Sequence, residues 1–513
     1  MRLPFPTRIS VEKTLIFAAA VLGAQLLEGT NLLFGVLFFA FIMLSVLAFN
    51  LAGGFSRASG TYVFSFALLT CVVGGLWKIV LAEPADSNLS SPEVTMLTYV
   101  VSMVGIMTSL FISHRITRKS RGFLDVIGID KVNLGLASLG CFIGNVLTVP
   151  ANILLPGGNG SLISIINQEN VLFPLAILLG TVHTIRISGG RRSVNVVTFV
   201  SAVLMFVVGG LINYSKQGMF TPIVCWGIAA ASQRYRLRSW QILLLVAFAV
   251  YSVTILSPLS QVGRQLGSED TSGWERLQLS IDLLSHPKRL RAEYINAIEP
   301  AGSVGPGESV ANFAKGYFNS PQGLLDRMTI IQMDDRLITY TLQGHTDGYQ
   351  RYIYYFINWI PHFILPNKES LAPPGAAAGG NYYAHEIGGI LSPDDFTTGI
   401  SFSPSAEAFH MEEWVGLLFL APLVWTLLFT TVDLICGDLR RSPFGLIAAV
   451  AFAHLAPESL LGGLIQFVWA GNLAIVGATI FCLYFAPVLG ALLAGEAPTQ
   501  PAFSVSTASI RTI

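Results

Sequence analysis

The chain has 513 residues, of which 52% are hydrophobic and only 12% charged. A soluble domain carries about 25% charge, so a soluble enzyme is excluded. The formal net charge is zero, and no basic run is long enough to attract nucleic acid.

A membrane helix needs roughly 20 mainly apolar residues. By that rule there are about twelve windows, near 14–28, 31–50, 62–82, 94–114, 133–150, 168–185, 194–212, 218–233, 239–258, 414–436, 443–464 and 471–494. The first lacks a small-residue cleavage pattern and is followed at once by the second, so it is expected to remain as a span. Alternate connections are basic: Arg2, Arg8 and Lys13; Arg57; Arg115, Arg118, Lys119 and Arg121; Arg186, Arg191 and Arg192; Arg234, Arg236 and Arg238; Arg440 and Arg441. By the positive-inside rule these connections and both termini are expected in the cytoplasm.

Charge is concentrated in one place. Residues 259–413 hold 10 basic and 18 acidic side chains of the 30 and 30 in the whole chain. The expected fold is therefore an all-α polytopic membrane protein with four parts. A membrane bundle of about nine spans occupies 1–258, and a large extracytoplasmic helical insertion, 259–413, lies between spans nine and ten. A second bundle of about three spans occupies 414–494, and 495–513 is a cytoplasmic tail expected to be disordered. The cysteines Cys71, Cys141, Cys225, Cys436 and Cys482 all fall in or at the ends of spans. With no disulfide framework, the insertion must fold by packing on the membrane body or on itself.

Within the insertion, 274–297 reads as one amphipathic helix or two, and 321–343 as another, with apolar positions at three- and four-residue spacing. The aromatic stretch 350–365 suits an interfacial helix broken at Pro361. The run from Pro366 to Asp395, centred on APPGAAAGGN, reads as a lid or linker. The chain then re-enters the membrane through 402–416, where Ser405 is the expected cap of a helix carrying Glu407, His410 and Glu413.

Three stretches carry a resemblance: LLDRMTIIQ from Leu324, NWIPHFILPNKES from Asn358, and YAHEIGGILSPDDFTTGISFSPSAEAFHMEEWVG from Tyr383. In order, spacing and position before a late span they are similar to the Wzy-type polysaccharide polymerases, closest to the branch found with exopolysaccharide–exosortase systems. His362 stands where that family usually has an arginine after the proline, Leu365 where it has an aromatic, and HMEEWVG where it has small residues. The resemblance implies an integral-membrane glycosyltransferase of the bacterial inner membrane. Its donor is a glycan on undecaprenyl diphosphate, and its acceptor is a sugar hydroxyl of another lipid-linked repeat unit. The reaction takes place at the outer face, with no cofactor and no obligatory metal. The flippase and chain-length regulator of the same pathway are its candidate partners.

Such a transfer needs cations on the leaving diphosphate, a general base on the attacking hydroxyl, and a groove open to the bilayer. The expected diphosphate contacts are Arg327 first, then Arg351, Lys368 and Arg336. The bland alternative pairs these cations with Asp326, Asp334, Asp335 and Asp347 on a solvated helix face. The expected base is His362 or His410, with Glu407 as competitor. Glu407 and His410 are three apart and share a helix face, although a polar pair that merely caps the re-entering chain would look the same. Asp394 and Asp395, with Tyr383, are the expected sugar contacts; SPDD is equally a turn sequence. The histidine spacings match no zinc motif, so no metal is expected. Lys78, near the outer end of the third span, lies at diphosphate height or snorkels to the interface. Competing readings are an O-antigen-ligase-like transferase to another acceptor, a transporter or lipid flippase, and a scaffold of a secretion complex.

Overall fold

The computed structural model describes residues 2–117, 122–126, 133–154, 172–267, 273–298, 316–320, 322, 325–358, 360, 364–374, 379–388 and 400–494. The described residues are helical, with no strand. In chain order the main helices are α1 (Val11–Leu27), α2 (Leu32–Ala52), α3 (Ala58–Val80), α4 (Pro92–Thr117), α5 (Leu134–Leu154), α6 (Leu172–Ile187), α7 (Val196–Ile212), α8 (Lys216–Ser232) and α9 (Ser239–Leu266). The insertion contributes α10 (Gly273–Ser285), α11 (Pro287–Ile298), α12 (Ile331–Leu342), α13 (Gln350–Ile357) and α14 (Gly380–Ile387). The chain returns through α15 (Pro404–Cys436), α16 (Leu446–Glu458) and α17 (Leu461–Leu493).

A helix overlaps each of the windows read from the sequence. Among the described residues, 6 helices are long and apolar enough to cross a membrane: α2, α3, α4, α9, α15 and α17. Four more apolar helices, in α5, α6, α7 and α16, are shorter. The molecule is thus a multi-pass helical membrane protein. Its helices start where short polar side chains satisfy free N–H groups. Ser10, Asn31, Asn195 and Ser215 each accept a bond from the first turn of α1, α2, α7 and α8.

Helices α2 and α15 flank α4, while α16 packs on α3. Between them lies an aromatic core of Tyr62, Phe66, Tyr99, Trp425, Phe429 and Phe452. The Trp425 indole N–H donates to the Tyr62 hydroxyl at 2.8 Å, so neither polar tip is left bare. The end of α17 lies against α5, where a Cβ at Gly140 would run into the Ala486 carbonyl. Small residues allow that backbone approach, as in other membrane helix pairs.

The insertion is tied to the membrane helices by two adjacent carboxylates of α12. Asp335 accepts from Ser90 N at 2.6 Å, Ser91 N at 2.9 Å and Thr95 Oγ1 at 2.9 Å, which caps α4. Asp334 accepts from the Tyr99 hydroxyl at 2.6 Å and from Ser403 N at 2.8 Å. A disulfide-free insertion is thereby held by hydrogen bonds from its own α12 to α4 and to the start of α15.

Local expectations are settled or shifted. The segment 274–297 is two helices, split at Pro287, which takes the first position of the second. The expected helix at 321–343 is a short turn, Leu325–Arg327, followed by α12. The cap of α15 is Ser403 rather than Ser405: its side chain accepts from Ala406 N, and Pro404 fills the next position. The stretch read as a lid contains α14.

Candidate functional site

Helix α13 places Arg351 and Tyr355 four residues apart and so on one face. The Arg351 side chain is buried. Its Nε lies 2.6 Å from Asp347 Oδ2, and a terminal N–H donates to the Pro374 carbonyl at 2.8 Å. Its guanidinium rests over the rings of Tyr382 and Tyr383, 4.6 and 5.1 Å from their centroids. Burial alone would lower the Arg351 pKa, but the facing Asp347 and Glu407 carboxylates outweigh it and hold the pKa above its ordinary value. Arg351 is therefore a fixed charge.

Glu407, one turn into α15, is fully buried. Its Oε1 accepts from the Tyr355 hydroxyl at 2.6 Å and the Tyr383 hydroxyl at 3.2 Å. Its Oε2 accepts from Leu461 N, the first N–H of α17, where the helix dipole favours an anion. Burial first, and then the neighbouring Glu407, push both tyrosine hydroxyls well above their ordinary pKa. They remain neutral donors. Both Glu407 oxygens are thus occupied, and the side chain joins α13, α14, α15 and α17.

One turn further along α15 is His410, whose side chain is 1% exposed. The Thr341 hydroxyl donates to the Leu337 carbonyl at 2.8 Å, and the same oxygen lies 2.9 Å from His410 Nδ1. A hydroxyl has one proton to give, so here it accepts from Nδ1–H. That assigns the tautomer: Nε2 carries a lone pair. Nε2 lies 3.9 Å from Glu386 Oε2, beyond hydrogen-bond range. Asp347, Glu386 and His410 each bring a ligand-type atom within 4.8 Å of the others. Glu386 Oε2 and His410 Nε2 have no hydrogen-bond partner among the described residues, while Asp347 Oδ2 is held by Arg351. Burial, and then Asp347, raise the Glu386 pKa above its ordinary value. Tyr340, stacked on His345 at 4.2 Å between centroids, and Tyr382 add aromatic faces beside this acceptor-rich cluster.

Of the residues singled out in the sequence, the structure brings together Arg351, Tyr383, Glu407 and His410. Lys368 is engaged elsewhere, donating to the carbonyls of Asn358 and Ile360 at 2.9 and 3.0 Å at the end of α13. Arg336 lies on α12 within the electrostatic reach of Asp335. The Arg327 backbone closes the turn Leu325–Arg327, but its side chain lies outside the described residues, as do His362, Asp394 and Asp395. Lys78 does not snorkel: it is buried, 3.4 Å from Glu83, bonded to Ser87 and 4.5 Å from the Tyr317 ring centroid.

Sequence reading missed Tyr355 and Glu386, and it saw Asp347 only as an ion-pair partner on a solvated face, whereas Asp347 pairs with a buried Arg351. Asp347 and Glu386 had visible partners at helical spacing, Arg351 and Tyr382. Nothing local pointed to their convergence on His410. Comparison of the chain with protein-family models, with curated proteins and with solved structures found no match.

Proposed function

We propose that the protein is an integral-membrane glycosyltransferase of the Wzy-polymerase kind. It joins polyprenyl-diphosphate-linked oligosaccharide repeat units at the outer face of the membrane. One observation carries this reading most: the chemistry-bearing residues of the family-like stretch from Tyr383, namely Tyr383, Glu386, Glu407 and His410, converge with Asp347 and Arg351 around one cluster. The cluster is rich in acceptors and aromatics, which suits sugar hydroxyls and ring faces.

In the proposed reaction the acceptor hydroxyl oxygen bonds to the donor's anomeric carbon. The bond from that carbon to the diphosphate oxygen breaks, and the lipid diphosphate leaves with the electron pair. The hydroxyl proton passes to Glu386, which is half-buried and whose raised pKa suits a general base. Glu407 is a positioning residue on this reading, because both its oxygens are taken. Arg351 fixes Asp347 and the two tyrosine rings, and Arg327 is the proposed contact for the diphosphate.

The test is turnover by purified protein supplied with lipid-linked repeat units extracted from a strain lacking the gene. Wild type should lengthen the glycan and release one lipid diphosphate per bond formed. Glu386→Gln should slow this by about 10²–10⁴-fold. Unchanged turnover in Glu386→Gln would remove it as base, and transfer only to a non-glycan acceptor would make the protein a ligase.

A further inference from the structure

Three features of the cluster are hard to reconcile with a site that binds only neutral hydroxyls. His410 Nε2 presents a lone pair, the Glu386 and Asp347 carboxylates present only lone pairs, and these atoms face one another within 4.8 Å. The His410 side chain is 1% exposed, and its Nε2 is unpartnered and aimed at Glu386 Oε2. Arg351 pairs directly with Asp347 alone, and its one positive charge is shared with Glu386 and the buried Glu407, so three acidic groups face a single cation. Buried lone pairs facing one another repel unless something positive lies between them.

The geometry points to a divalent-cation site formed by Asp347, Glu386 and His410. An imidazole with two carboxylates suits a first-row transition ion such as Zn²⁺ or Mn²⁺ better than Mg²⁺ or Ca²⁺, which favour all-oxygen shells. The second shell is already built. Thr341 fixes the His410 tautomer and ring through Nδ1, and Arg351 orients Asp347. Ligand distances of about 2.1 Å place tetrahedral ligand atoms about 3.4 Å apart. The Nε2 to Oε2 separation of 3.9 Å must therefore close slightly, and the half-buried Glu386 can rotate to do so. Zinc-motif spacing does not reveal this set, because its members come from the α12–α13 loop, α14 and α15. The cation site stands without the glycosyl-transfer reading. Only its use rests on that reading: the ion would supply, beside a diphosphate, the positive charge that Arg351 already spends on Asp347.

The experiment is a titration of full-length protein in detergent, stripped by chelator, with Zn²⁺, Mn²⁺ and Mg²⁺ separately, read by calorimetry and by thermal unfolding. Wild type should bind about one Zn²⁺ or Mn²⁺ saturably and melt at a higher temperature when loaded. His410→Ala and Glu386→Gln should each weaken binding by at least about 10–100-fold. Glu386 is half-buried and its charge is repelled by the other acceptors, so Glu386→Gln should melt at or above wild type without metal, which keeps the test open if His410→Ala fails to fold. No saturable binding, equal binding by both variants, or Mg²⁺ binding as tight as Zn²⁺ would overturn the site. Because the readout is binding, failure here leaves the turnover assay free to succeed, and failure of that assay leaves the cation site standing.

Discussion

At Glu407 three donors from three helices meet one buried carboxylate. Hydrogen bonds to a charged group are worth about 1.5–3 kcal/mol each, and an unsatisfied buried partner costs a similar amount. Glu407→Gln puts an amide N–H₂ where a second acceptor is required, so it should lower stability by about 2–4 kcal/mol. Tyr355→Phe removes one donor and should cost about 1 kcal/mol. Thermal unfolding of the two variants and their double mutant measures both, and the double mutant should cost less than the sum. Asp334 gives a different signature. It is buried on α12, and burial, only partly offset by bonds from Ser403 and Tyr99, raises its pKa to about 7. A carboxyl whose folded pKa exceeds its unfolded pKa binds more protons when folded. Stability should therefore fall as pH rises from about 4 to about 7, at up to about 1.4 kcal/mol per pH unit. Melting temperatures across pH 5–8 should show that decline in wild type and a shallower one in Asp334→Asn, with Asp335 and Glu386, both also raised by burial, among the groups that keep the remainder. A flat wild-type profile would contradict the assignment.

The helix α15 is broken at Glu412 and Glu413. Glu412 has φ −150° and ψ 38°, and Glu413 has φ 47° and ψ −129°. A non-glycine residue held there costs about 1–3 kcal/mol. The bend lets α15 pass close to itself: a Cβ on Gly416 would meet the Ala408 carbonyl. Glu413→Gly should thus raise stability by about 1 kcal/mol, the relieved strain exceeding the added freedom of the unfolded chain. Gly416→Ala should lower it by about 2 kcal/mol or more. Melting curves for the pair check the geometry, and equal effects of both would contradict it. The main helices of the bundle were legible because apolar length is a strong signal. The kink was hidden, because HMEEWV has no glycine or proline to mark it. Helix α14 was hidden for another reason. It is short, it follows APPGAAAGG, and its Tyr382, Tyr383 and Glu386 gain meaning only from contacts with α13 and α15. Arg351, Glu407 and His410 were singled out because the expected transfer needs a cation and a base in the insertion, and Tyr383 because it opens the family-like stretch. Glu386 was lost among 30 acidic residues, and Asp347 was legible only as a partner for a cation.

Across the whole molecule, the polar chemistry is collected in one insertion and bound back onto the helical bundle through Asp334 and Asp335 on α12 and Glu407 on α15. Bundle and insertion are thereby one mechanical unit, with the acceptor cluster beside the start of α15. That arrangement suits an enzyme whose substrate has a lipid tail in the bilayer and a sugar head outside it. The decisive measurement is the lipid-linked glycan pool of cells lacking the gene, restored with wild type or with Glu386→Gln at matched protein level. Single repeat units on polyprenyl diphosphate should accumulate in the deletion and in the variant, and should be consumed with wild type. Long lipid-linked polymer in the deletion, or a pool identical in all three strains, would contradict a polymerase.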